Sequence, residues 1–122
     1  MEPNIENVRD YCLQLGPVTE SFPFDSSTLV FKIGGKAFAL LNVDQFEYIN
    51  LKCDPEKALT LRQEYPEGIL PGYHMNKKHW NSVYPFRDVP PKVVFSLIDH
   101  SFQLIVGGLT KKLKNELFPD EL

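Results

Sequence analysis

The sequence predicts an α+β domain of two layers, an antiparallel five-stranded sheet with helices packed on it, in the order α-βββ-α-ββ-α. Three observations lead there. Apolar residues recur at helical spacing near the start, middle and end of the chain, as in Ile5, Val8, Cys12 and Leu15. Between these stretches lie short β-branched and aromatic runs bounded by turn residues, such as "TLVFKIGGKAFALLNVD" and "YINLKC". The runs arrive as hairpins rather than as strand–helix–strand crossovers throughout, which favours antiparallel pairing.

The first helix is capped by Asn4 and stopped by Gly16-Pro17. "VTESFPFDSS" then reads as a loop anchored by Phe22-Pro23-Phe24. Gly34-Gly35 is a two-residue hairpin signal, because glycine accepts the positive φ of primed turns. A regular ladder from that turn places Ile33 opposite Lys36, Phe31 opposite Phe38 and Leu29 opposite Leu40. One face then carries Leu29, Phe31, Phe38 and Leu40, and the other Val30, Lys32, Ala37 and Ala39. In the third strand Ile49, Leu51 and Cys53 point to the core, and Tyr48, Asn50 and Lys52 away from it. Lys32 and Lys52 would therefore share the open face.

Asp54-Pro55 opens the second helix with a capping aspartate and a proline in its first turn. Ala58, Leu61 and Tyr65 form its apolar stripe, and "YPEG" ends it. Two short strands flank a turn around "NKKH". Asn76 suits a left-handed position there, and Trp80 is expected to pack into the core. The long helix after Pro90-Pro91 buries Val94, Leu97, Ile98, Ser101, Leu104, Ile105 and Gly108. Gly107-Gly108 closes or loosens it, and Thr110 caps a final basic helix, "KKLKNEL".

The 122 residues suit one domain spanning 1–122, with 118–122 as an acidic, flexible tail. A chain this long buries enough surface to stand without disulfides or metal. No apolar run is long enough for a bilayer span, and the polar, acidic N-terminus is unlike a signal peptide. A cytoplasmic monomer is expected. Cys12 and Cys53 have no CxxC spacing and read as buried thiols; a reactive Cys53 before a helix start is the sharper alternative.

The net charge of −3 is unevenly spread. Residues 68–115 carry seven basic and two acidic side chains and all three histidines. An acidic whole argues against avid nucleic-acid binding, but the positive segment leaves room for a local patch.

"GYHMNKKHWNSV", residues 72–83, concentrates the residues that could carry chemistry. Lys77 and Lys78 at a hairpin tip suit phosphate contact, or simply a solvated turn. His74 and His79 are four apart across a turn with no third ligand nearby, so no metal is expected. They, and His100 beside Asp99, read as hydrogen-bonding polar residues. Tyr73 and Trp80 could stack on bases, though packing explains them as well. Lys32, Lys36 and Lys52 could form a second anionic-ligand patch on the sheet. Gly34 and Gly35 join two strands and do not cradle phosphate. No GxSxG and no serine with an evident base supports nucleophilic catalysis. No enzyme activity and no cofactor is expected.

Five segments together resemble the MmcQ/YjbR family, the small double-wing proteins often labelled DNA-binding. These are "ESFPF" at 20–24, "VFKIGGKAFALL" at 30–41, "LKCDPE" at 51–56, "GYHMNKKHWNSV" at 72–83 and "LIDHSFQLIVGGLTKKL" at 97–113. They run in family order over nearly the whole chain. "NKKHW" ahead of a final helix bearing "DHS" is the most specific combination. Thr110 stands where the family often has proline, and "YPFRDVPPK" also departs from it. The resemblance implies a CyaY-like or secretion-chaperone-like fold. Its motif residues fall on Gly34, Gly35, Gly72, Tyr73, Asn76, Trp80, Asp99 and Ser101. It also implies weak or non-specific DNA binding by electrostatic contact, for which Lys77, Lys78, His79, Lys32, Lys36, Lys52, Lys111 and Lys112 are the candidates. A protein- or ligand-binding module that uses the sheet face, with no nucleic-acid role, is the alternative.

Overall fold

The computed structural model describes residues 2–121. Helix α1 spans Ile5–Gln14, followed by strands β1 Thr19–Ser21, β2 Thr28–Ile33, β3 Lys36–Asn42 and β4 Ile49–Lys52. Then come α2 Pro55–Glu64, β5 Ile69–Pro71, β6 Trp80–Val83, α3 Pro91–Gly107, α4 Lys111–Leu117 and a 3-10 turn, Pro119–Glu121. The sheet has six antiparallel strands in the order β1-β2-β3-β4-β6-β5. The α+β class is as expected, with one strand more than the five predicted. The extra strand is β1, three residues at the sheet edge on which two side chains are exposed. So short and polar a strand carries no alternating apolar signal, and the segment reads as loop.

The caps follow the sequence. Asn4 accepts from the Asn7 N–H, Asp54 from Lys57 and Thr110 from Leu113. Gly34 and Gly35 have φ of 60° and 80°, as a primed turn needs.

The ladder beyond that turn is not regular. Ile33 faces Lys36 and Lys32 faces Ala37, but Phe31 then faces Ala39 and Leu29 faces Leu41. Phe38 is the extra residue of a β-bulge. One inserted residue reverses the facing of everything after it. Ala39, expected on the open face, is therefore in the core, and Leu40, expected in the core, is on the open face. Leu29, Leu41, Ile49, Val83 and Ile69 make one continuous core row across five strands. Phe38 also turns to the helical side, edge-on to Phe102 of α3 with ring centroids 5.3 Å apart.

Helix α3 packs on β2, β3 and β4. It buries Val94, Leu97, Ile98, Ser101, Phe102 and Ile105. Phe102 belongs to this stripe in place of the predicted Leu104, which is half-buried, and Gly108, which is exposed. The consecutive residues Asp99, His100 and Ser101 each fasten the helix to a different element. Both Asp99 carboxylate oxygens accept from the Tyr11 hydroxyl of α1, at 2.7 and 2.8 Å. Burial first, and then that bond, push the Tyr11 phenol up to about 12. His100 Nε2 accepts from the Asp54 N–H at the start of α2, 3.2 Å away. The Ser101 hydroxyl donates to the Phe38 carbonyl at 2.5 Å and accepts from the Lys52 N–H at 2.9 Å. It thus bridges β3 and β4 next to the bulge.

Both cysteines are buried. Burial pushes the Cys12 thiol up to about 12 and the Cys53 thiol up to about 11. For Cys53 this desolvation outweighs the nearby Lys57 and Arg62. Burial and the raised thiol pKa weigh against the reactive reading of Cys53. At the C-terminus Phe118 packs against the core rather than beginning a tail; Leu122 lies outside the described residues. Among the described residues, no helix is long and apolar enough to cross a membrane.

Candidate functional site

Antiparallel pairing brings every sequence-predicted lysine to one end of the sheet. The Gly34-Gly35 turn marks that end, with Lys32 just before it and Lys36 just after. Lys52 closes β4 there, opposite Trp80 at the start of β6. Lys77 and Lys78 lie in the β5–β6 loop at the same end. Lys111 and Lys112 begin α4, and Leu109 before it and Leu117 at its end lie against the Gly34 turn. Lys57, which the sequence reading passed over, joins them in the first turn of α2. Lys36, Lys57, Lys78, Lys111 and Lys112 are exposed. Asp54 and Glu56 at the β4–α2 junction and Glu116 in α4 are acidic residues among them, and Glu20 on β1 nearby is paired with Arg9. The opposite end holds Asp25, Asp44, Glu47, Glu67 and Asp88, against Arg87 and Lys92. The charge separation is therefore along the strands, which charge counting along the chain does not reveal.

The β5–β6 connection is an eight-residue loop folded back on itself. Gly72 sits where a Cβ would come within 2.8 Å of the Trp80 Cβ and 3.0 Å of the Met75 Cβ, so only glycine lets the loop close. The Asn76 side chain accepts from the N–H groups of Lys78 and His79, at 3.0 and 3.2 Å. Asn76 shapes the turn by this bonding rather than by the left-handed backbone expected of it. That conformation belongs to His74, with φ of 60°. Trp80 is half-buried and outside the core cluster, contrary to expectation. His79 is half-buried, and its carbonyl accepts from the Cys53 N–H at 2.8 Å. Lys77 does not reach freely into solvent, because its Nζ donates to the Gly72 carbonyl at 2.8 Å. Arg62 of α2, missed in the sequence, holds the loop from outside. It donates to Asn81 Oδ1 at 2.8 Å and to the carbonyls of Lys77 and Trp80. A lone arginine in a helix's last turn gives no signal of that role.

The open face of the sheet is not the basic face predicted. Only its end row carries Lys32 and Lys52, both half-exposed. The next row is Val30, Leu40, Asn50 and Ser82, all buried. The loop covers it. The Ser82 hydroxyl donates to Asn50 Oδ1, accepts from the Tyr73 N–H at 2.9 Å, and Asn50 Nδ2 donates to the Tyr73 carbonyl at 3.2 Å. This network pins Tyr73 over the sheet.

Beside it opens a cleft of about 260 Å³ lined by Phe24, Asp25, Tyr48, Asn50, Tyr73 and His74 among others. The Tyr48 and Tyr73 rings meet at 83° with centroids 6.1 Å apart, and Tyr48 also packs on Tyr84 at 5.2 Å. Asp25 accepts from the N–H groups of Ser27 and Thr28, at 2.8 and 2.6 Å. These bonds hold its carboxyl below the usual range, so it is ionised at neutral pH. Among the described residues there is no group of three or more His, Cys, Asp or Glu placed to hold a metal.

The family model described as YjbR matches residues 13–104, most of the chain. The uncharacterized protein YbdF of Escherichia coli O157:H7 is 44% identical over 115 residues, 93% of each chain. The uncharacterized protein YjbR of E. coli K12 is 29% identical over 114 residues, 93% of this chain and 96% of that one. The crystal structure of Deinococcus radiodurans protein DR2400, which carries the domain DUF419, superposes with a TM-score of 0.90 at 39% identity. It covers 99% of this chain and 93% of its own.

Proposed function

The chain belongs to the YjbR family, and we propose that it is a non-catalytic protein that contacts nucleic-acid backbones through its lysine-bearing end. The observation that carries this reading is the gathering of Lys32, Lys36, Lys52, Lys57, Lys78, Lys111 and Lys112 at one end of an otherwise acidic molecule. Such an end attracts phosphates while the acidic end orients the approach. No base-reading helix is involved. Phosphate contacts position without reading sequence, so binding is weak and sequence-independent.

The test is a fluorescence-anisotropy titration against duplex DNA. Four phosphate contacts give a log–log salt slope of about −3.6, a loss of about 150-fold in affinity between 50 and 200 mM salt. Changing Lys36, Lys78, Lys111 and Lys112 together to glutamine should flatten that slope and remove most of the affinity. No binding at about 50 mM salt, or binding indifferent to the four substitutions, would refute the reading.

A further inference from the structure

We propose that the cleft on the open sheet face is a binding site for an organic ammonium group, separate from the lysine-bearing end. A cation held against aromatic ring faces is stabilised by the ring quadrupole, and more so when water is excluded. The walls here have that composition. Tyr48 and Tyr73 meet nearly at a right angle, giving two sides of a box. Phe24, 73% exposed, stands as an unpartnered third wall. Asp25 supplies a carboxylate, and no lysine or arginine lines the cleft. Phosphates are therefore disfavoured where an ammonium is favoured.

The same aromatic cluster already holds a cation within the chain. The Arg87 guanidinium lies 3.9 Å from the centroid of the Tyr84 ring, which packs on Tyr48. The walls are also set in advance. Tyr73 is pinned through its backbone by Asn50 and Ser82, and His74 keeps a left-handed φ of 60° with its ring 4.0 Å from that of Tyr73. A non-glycine residue in that conformation persists only where its surroundings enforce it. At about 260 Å³ the cleft falls just below the range of drug-sized pockets, so it takes a head group such as trimethylammonium on a short chain.

The experiment is an amide NMR titration of the whole chain with choline and with 3,3-dimethylbutanol, its uncharged isostere. Choline should give saturable shifts at Asn50, Tyr73 and His74, with the isostere about tenfold weaker or worse. Asp25→Asn, which keeps an oxygen to accept from Ser27 and Thr28, and Tyr73→Leu, at a half-exposed ring, should each weaken choline about five- to tenfold. Phe24→Leu is a third variant at a position with little bearing on the core. Equal binding of the isostere would make the cleft a merely apolar recess and overturn the proposal. So would the absence of saturable shifts, or choline affinity unchanged in all three folded variants. A trimethyllysine peptide run alongside identifies the source. Much tighter binding than choline assigns the ammonium to a protein chain, and comparable binding assigns it to a free small molecule. Either supports the site.

Discussion

Replacing Ser101 with alanine removes one oxygen atom from the interior and leaves two backbone groups without partners. The Ser101 hydroxyl is fully buried, accepts the Lys52 N–H and donates to the carbonyl of Phe38, the extra residue of the bulge. The bulge breaks the β3–β4 ladder beyond the Ala39–Leu51 pair, so neither group has a ladder partner to return to. Each buried, unsatisfied backbone group costs about 1–3 kcal/mol, and the lost burial cost of the hydroxyl gives some of that back. The net loss should be about 2–4 kcal/mol, a large share of the 5–15 kcal/mol by which a domain is typically stable. At about 2.1 cal/mol/K of unfolding entropy per residue, the chain should lose about 8–16 °C in Tm. Urea unfolding followed by circular dichroism measures this, with an unchanged m-value as the sign of an intact fold. Ser96→Ala, an exposed serine on the same helix, should stay within about 0.5 kcal/mol of the parent. A Ser101→Ala loss under about 0.5 kcal/mol would show that β3 and β4 close up and bond directly, and the staple argument would fail.

Three further outcomes follow from the same geometry. Burial, with help from Lys57, holds the His100 imidazole below its ordinary value of 6.5, so between that value and the lower folded one the unfolded chain binds more protons. Stability should therefore fall as pH drops below about 6.5. His100→Gln should flatten denaturation midpoints over that window; an unchanged slope would sink the assignment. Gly34→Ala should cost more than Gly35→Ala, by about 1 kcal/mol or more. Both have positive φ, but only at position 34 does a methyl meet Leu109, at 2.8 Å. Equal losses in thermal melts would contradict this. Neither thiol should react with Ellman's reagent until the chain unfolds, since burial raises both; rapid labelling of Cys53 in the native protein would show otherwise.

Local chemistry was readable from the sequence wherever a few neighbouring residues decide the outcome. The Gly34-Gly35 turn, the caps Asn4, Asp54 and Thr110, and the α+β class all depend on short-range dihedral preference and hydrogen bonding. The family-specific segments were legible too, as patterns. Their roles were not. Asp99, His100 and Ser101 are consecutive letters, yet each bonds to a residue far away in the chain, which only the packed structure identifies. The bulge at Phe38 is another such case. Nothing in "GGKAFALL" announces an extra residue, because it is compensated by a serine on a helix about 60 positions later. It moves Leu40 to the open face and Ala39 to the core, reversing a faultless alternation rule. The lysines were visible singly in the sequence, but their common end of the sheet follows from strand direction. The aromatic cleft depends on tertiary structure entirely, since Phe24, Tyr48 and Tyr73 come from three separate connections. Short-range preferences are set residue by residue, and a site is set by which distant residues the fold makes neighbours.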